Sequence, residues 1–193
     1  MELNKDLWNQ RYLDQDMGWD IGHISPPLKT YFDQLNNKEI RILIPGCGNA
    51  YEAEYLFQQG FKNVVLIDWA QKAIDDFQKR NPEFPKEHLI CGDFFKHTDE
   101  YNLIIEQTFF CALEPKLRPD YVKHMKKLLA KKGKLVGLLF NDKLFSHRPP
   151  FGGKKSEYQK LFSPHFTIVS METAHNSIPS RQGRELFLKV QNS

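Results

Sequence analysis

An open, mostly parallel α/β sheet with helices on both faces is the fold this sequence predicts, and three observations predict it. Short β-branched apolar runs recur between residues 40 and 140, most of them followed by a helical stretch, as in buried parallel strands joined by crossover helices. Glycines follow the first run at once, in Pro45-Gly46-Cys47-Gly48. Two last strand-like segments have no helix between them, which reads most simply as an antiparallel pair.

The elements follow in order. Residues 4–15 read as a helix with Leu7, Trp8 and Tyr12 on one side and Asn4 as its cap. Pro26 starts a second helix, expected to end near Asn37. IRILI, residues 40–44, is the first strand, and a helix from Tyr51 to Gln59 follows, stopped by Gly60. VVLID, 64–68, is the second strand, with a helix from Ala70 to Lys79 that halts before Pro82. HLICGD, 88–93, is a weaker third strand, and 101–110 holds a fourth. A helix spans Arg118 to Leu129, and Gly133 is expected to end the turn that leads into the fifth strand, 134–140. Residues 141–153 read as a loop and 155–162 as a helix, before two strands at 166–173 and 185–190.

Composition narrows the function. The 193 residues carry 27 basic and 24 acidic side chains, a net charge of +3. That is too mild for a nucleic-acid surface, and the lysines between 123 and 134 suit a helix C-terminus. Cys47, Cys91 and Cys111 are widely spaced, which suggests neither a zinc site nor a disulfide framework. The histidines show no HxH or HExxH spacing, so no metal is expected. MELNKDLWNQRY at the start lacks the apolar region of a signal peptide, and no apolar run is long enough to span a bilayer. The expectation is a cytoplasmic protein, a monomer, with no membrane or nucleic-acid partner.

Open α/β sheets bind ligands at the carboxyl ends of their strands. The glycines after the first strand allow a tight turn and close backbone approach, although a plain turn would also use one of them. Asp68 ends the second strand about 20 residues later, where a carboxylate accepts hydrogen bonds from ribose hydroxyls or caps the next helix. Asp93 ends the third, where it accepts from an adenine amine or caps a loop, with Phe94 and Phe95 beside it. Tyr51 stands where a dinucleotide fingerprint has its third glycine. That favours a ligand without a pyrophosphate, such as S-adenosylmethionine. Trp8, Tyr12 and Trp19 add aromatic faces that attract a sulfonium cation, or else a hydrophobic helix face.

At this point the residues resemble the thiopurine S-methyltransferase superfamily, and within it the branch of thiol, thiocyanate and halide methyltransferases. WNQRY, GWDIG, ILIPGCGNA, LID, GDFF, TFFCALEPKLRPDY, LLF, PPFGG and IPSRQGRE follow one another in the family's order from Trp8 to Glu185. The resemblance implies a Rossmann-like class I methyltransferase fold: a seven-stranded, mostly parallel sheet with an antiparallel C-terminal hairpin. Residues 1–38 would be a helical cover over the site and 39–193 the Rossmann-like core of one domain. The implied cofactor is S-adenosyl-L-methionine, with S-adenosyl-L-homocysteine as product. Its contacts would be Trp8, Tyr12, Trp19, the Gly46, Cys47, Gly48 loop, Asp68, Trp69, Asp93, Phe94, Phe95 and Gln107. Arg11, Arg118, Phe140, Tyr158 and Arg181 are candidates on the substrate side, and no catalytic residue stands out. Asn141 and the loop around His147 and Arg148 depart from the family pattern and leave the substrate open.

The implied reaction is in-line methyl transfer to a small-molecule acceptor of sulfur or halide type: a thiol, bisulfide, thiocyanate or halide. Such a nucleophile carries its own charge and needs alignment more than a base. The rivals are a methyltransferase for larger aromatic or heterocyclic thiols, a non-catalytic binder of the cofactor, and a nicotinamide-dependent oxidoreductase.

Overall fold

The computed structural model describes residues 3–193; the first two residues of the stretch assigned to the cover lie outside them. Helix α1 (Lys5–Leu13) is capped by Asn4, whose Oδ1 accepts from the Leu7 amide at 3.0 Å. Helix α2 (Pro26–Phe32) ends five residues before the expected Asn37. Its end tightens into i→i+3 turns, in which the amides of Gln34 and Leu35 bond the carbonyls of Tyr31 and Phe32.

The alternation of strand and helix then runs as expected: β1 (Ile42–Pro45), α3 (Tyr51–Gln58), β2 (Val64–Asp68), α4 (Gln71–Arg80), β3 (Leu89–Cys91), β4 (Tyr101–Gln107), α5 (Arg118–Leu128), β5 (Leu129–Phe140), α6 (Lys155–Phe162), β6 (Thr167–Thr173) and β7 (Glu185–Gln191). The seven strands form one sheet in the order β3-β2-β1-β4-β5-β7-β6. The first five are parallel, and β7 runs antiparallel to both β5 and β6. The order reverses between β1 and β4, which opens a crevice above their carboxyl ends.

Period-two alternation of the strands feeds a core on each face. Leu43, Val65, Ile67, Ile104 and Leu135 pack with α5 and α6, through Tyr121, Met125, Tyr158 and Phe162. Ile42, Ile44, Val64, Leu66 and Ile105 pack with α2, α3 and α4, through Phe32, Leu56 and Phe77. Buried strands flanked on both sides need apolar residues at every position, and β1 and β2 are buried throughout.

The fifth strand differs from expectation. It starts at Leu129, directly after α5, and Gly133 does not end a separate turn. Its pairing with β4 slips from Tyr101↔Leu129 to Leu103↔Lys134, so extra residues bulge out with Lys132 at a positive φ. The C-terminus secures the bulge: the Lys132 amide bonds the Asn192 carbonyl, and the Asn192 amide bonds the Gly133 carbonyl.

Candidate active site

The carboxyl ends of β1, β2, β3, β4 and β5 converge on a cavity of about 600 Å³, within the usual range for small-molecule sites. Its floor is the glycine turn after β1. Gly46 sits at φ +56, and a Cβ there would lie far inside contact distance of Cδ2 of Phe109. The glycine therefore lets an aromatic side chain from the far side of the switch point approach the backbone. Gly48, at φ +55, lies beneath the Tyr12 hydroxyl.

Asp68 ties this turn to the end of β2. One of its oxygens accepts from the Gly48 amide at 3.0 Å and the other from the Ala70 amide at 2.8 Å. Burial pushes its pKa up, while these backbone donors hold it down. A carboxylate offers about four lone-pair positions, so two remain for a ligand. Asp68 does not cap α4, whose N-cap is Ala70; it ties the turns after β1 and β2 together and faces the cavity. Asp93 also lines the cavity and accepts from the Phe95 amide at 2.9 Å, capping a short 3₁₀ turn. Phe94 and Phe95 form the adjoining wall, and Trp69 borders the other side of Asp68.

The segment before the sheet supplies the opposite wall. Trp19 meets Trp8 and Tyr12 edge-on, each at 5.6 Å between ring centroids. The Arg11 guanidinium lies 4.5 Å from the Trp19 ring centre and pairs with Asp16 at 3.0 Å. Two anchors hold this wall. Asn9 accepts from the Lys72 amide in α4, and Arg181 donates to the Trp19 carbonyl at 2.7 Å while pairing with Glu185. The Tyr12 hydroxyl is pushed well above its ordinary pKa, first by burial and then by the charge of Asp68.

The third wall follows β4 and β5. Glu106, fully buried, accepts from the Phe109 and Phe110 amides at 2.8 Å and from the Tyr121 hydroxyl at 2.6 Å. It thereby fixes the turn that carries Thr108, Phe109 and Cys111 to the cavity. Burial raises its carboxyl pKa to about 7 against these three donors. Phe140, Leu144, Phe145 and Arg148 continue the wall beyond β5. Burial also pushes the Cys111 thiol up to about 12, so it stays protonated near neutral pH.

Not every residue singled out in the sequence reaches this cavity. Cys47, Gly48 and Gln107 border a smaller recess of about 40 Å³ next to it, shared with Trp19 and Gly46. Arg118 and Tyr158 stand behind the wall. Arg118 donates to the carbonyls of Phe151 and Gly152, and Tyr158 donates to the Phe140 carbonyl at 2.8 Å. Their geometry braces the loop between β5 and α6. Arg11, Phe140 and Arg181 do face the cavity, although Arg11 and Arg181 are already ion-paired. Glu106, Phe109 and Arg148 were not singled out as site residues. The one signal for Glu106 was a lone acid inside an apolar strand, facing Gly137 across the pairing. Among the described residues no three His, Cys, Asp or Glu side chains are placed to hold a metal ion, and no helix is long and apolar enough to cross a membrane.

Comparison with known proteins gives this arrangement relatives. A family model described as thiopurine S-methyltransferase matches residues 3–190. A probable thiol methyltransferase 2 of Arabidopsis thaliana is 29% identical, over 92% of this chain and 81% of its own length. Thiocyanate methyltransferase 1 of the same plant is 28% identical with the same coverage. A thiopurine S-methyltransferase of Pseudomonas fluorescens is 27% identical, over 77% of this chain and 76% of its own. Among solved structures, the 1,6-didemethyltoxoflavin-N1-methyltransferase of Burkholderia thailandensis superposes with a TM-score of 0.81 at 15% identity, over 98% of this chain and 87% of that one. Magnesium protoporphyrin IX methyltransferase from Synechocystis PCC 6803 gives 0.76 at 14% identity, over 100% and 99%. At such identities these structures establish the fold alone.

Proposed function

This chain belongs to the thiopurine S-methyltransferase family and is an S-adenosylmethionine-dependent methyltransferase, and from that premise we propose that it methylates a small sulfur-type or halide nucleophile. The observation that carries this reading is the asymmetry of the cavity. Its β2–β3 side offers two carboxylates with unused lone pairs, whereas its β4–β5 side offers aromatic and aliphatic surface rimmed by arginines, with no carboxylate in its lining among the described residues.

The residues fit the cofactor. Asp68 has two lone-pair positions left for the ribose hydroxyls and Asp93 has an oxygen left for the adenine amine. Phe94 and Phe95 flank the base, Trp69 adjoins the ribose, and Gly46 lies beneath the methionyl part. Cys47, Gly48 and Gln107 support this from the adjoining recess, Gly48 through Asp68. Trp8, Tyr12 and Trp19 close over it, so that the described residues up to 38 serve as the cover and 39–193 as the Rossmann-like core of one domain. S-adenosylmethionine supplies an activated methyl group on a sulfonium.

The chain's own work is then to orient and to exclude water. Aromatic faces favour a nearby cation by roughly 0.5–2 kcal/mol each, although the Trp19 ring already holds Arg11. Phe140, Leu144 and Phe109 wall the acceptor's approach, braced by Arg118 and Tyr158 from behind. No general base is needed for a thiolate, bisulfide, thiocyanate or halide, which arrives charged; Cys111 and Tyr12 both keep their protons. Thiol and thiocyanate appear in the names of the plant relatives, which supports this choice. The reading carries a monomer in the cytoplasm with it, a compartment that three free thiols suit.

The test is release of S-adenosylhomocysteine from S-adenosylmethionine with bisulfide, thiocyanate, iodide and a bulky aromatic thiol offered in parallel. Faster turnover on the small anions supports the reading. Turnover on the aromatic thiol alone would move the assignment to larger thiols.

A further inference from the structure

The acceptor side of the cavity carries one guanidinium that the fold does not use. Four arginines line the cavity: Arg11, Arg148, Arg181 and Arg184. Three are committed. Arg11 pairs with Asp16, Arg181 with Glu185 and the Trp19 carbonyl, and Arg184 with Asp142 at 2.5 Å and the Ser180 carbonyl. Arg148 makes neither an ion pair nor a hydrogen bond among the described residues. It lies 3.7 Å over the ring of Phe145, itself 40% exposed at the rim. A guanidinium held against an aromatic ring loses part of its rotamer freedom before any ligand arrives, while N–H groups without a partner remain to bind one.

We infer that Arg148, seated on Phe145, is the specificity-determining residue that draws a negatively charged methyl acceptor to the cavity. The inference rests on the methyltransferase reading above and goes beyond it by naming the selecting group. Position separates this residue from the carboxylate proposed to hold the cofactor's ribose. Arg148 follows β5, whereas Asp68 ends β2. Three strand spacings lie between these strands, through β1 and β4, or about 14 Å at the usual interstrand distance. Charge balance agrees. Asp142 and Glu185 are each answered by an arginine on this side, and Asp16 by Arg11 on the wall opposite, so an incoming anion near Arg148 meets no unanswered carboxylate among them.

The experiment is equilibrium dialysis of labelled thiocyanate against the protein saturated with S-adenosylhomocysteine, for the native chain, R148Q and R148K. Glutamine keeps the length and polarity without the charge; lysine keeps the charge without the planar fork. The expected result is thiocyanate binding weakened roughly three- to tenfold in R148Q, as for one partly exposed charge contact, and largely restored in R148K. S-adenosylhomocysteine affinity and the thermal midpoint should be the same in all three. With an acceptor that turns over, R148Q should raise KM and leave kcat within about twofold. Thiocyanate retained equally by R148Q, or not retained by the native chain, would overturn the inference while leaving the methyltransferase reading intact. Weaker S-adenosylhomocysteine binding in R148Q would also overturn it, by placing Arg148 on the cofactor. Failure of the native chain to bind S-adenosylhomocysteine at all would instead strike the reading on which the inference rests.

Discussion

Replacing Asp68 by asparagine tests the cofactor side of the site in a way that packing cannot imitate. The side chain keeps its shape, so no cavity forms. What changes is charge and the number of acceptors. The aspartate takes the Gly48 amide on one oxygen and the Ala70 amide on the other, at 3.0 and 2.8 Å. Asparagine keeps one of these bonds and turns an NH₂ group toward the other amide. A hydrogen bond to a charged group contributes about 1.5–3 kcal/mol, and D68N should lose about that much unfolding free energy. The ribose hydroxyls of a bound ligand would lose an anionic acceptor of the same strength. S-adenosylhomocysteine affinity should therefore fall by about 1.5–3 kcal/mol, or roughly 10- to 150-fold. The assay is isothermal titration well below the variant's unfolding midpoint, with urea denaturation run alongside. D93N is the control for stability: its remaining oxygen still caps the Phe95 amide, and it should lose less than about 1 kcal/mol of unfolding free energy. A folded D68N that binds the product within twofold of the native chain would refute the placement of the ribose at this carboxylate.

Three further perturbations follow from the same geometry. Glu106 titrates near 7 in the folded chain against an ordinary 4.5, so the native state holds more protons than the unfolded one between those values. Stability should then fall as pH rises through that window, by on the order of 3 kcal/mol; E106Q, which can still receive both turn amides, should flatten this part of a urea-denaturation series, and equal slopes in the two proteins would count against it. Trp19→Ala should slow turnover more than it weakens binding of the uncharged-sulfur product, measured by initial rates beside dialysis, whereas equal losses would reduce Trp19 to packing. Gly46→Ala places a Cβ at φ +56 against the Phe109 ring; overpacking and strain should cost about 1–3 kcal/mol, and an unmoved urea midpoint would show that the turn yields freely.

Strands β1, β2 and β4 were legible because buried parallel strands need unbroken apolar runs, and Asp68 and Asp93 were legible because the fold fixes what the ends of β2 and β3 face. Geometry beyond the strand ends was not. Arg118 and Tyr158 carry the marks of site residues, yet their side chains turn back to brace carbonyls of a loop 18–34 residues away, a choice no local pattern encodes. Gln107 is one residue beyond Glu106, and alternation along β4 sends it away from the main cavity and its neighbour into the core. Gly46 was assigned to ligand approach; it lines the cavity, and its missing Cβ also admits Phe109, a partner 63 residues on in the numbering. The bulge in β5 escaped notice because its support comes from Asn192, 60 residues beyond Lys132 in the sequence.

The most direct test of the account is to offer S-adenosylmethionine bearing a deuterated methyl group together with thiocyanate or bisulfide, and to analyse the headspace by mass spectrometry. The account predicts a volatile product carrying the label, formed in step with S-adenosylhomocysteine and absent without the protein. A chain that binds S-adenosylhomocysteine yet leaves the label on the cofactor with every small anion would contradict it.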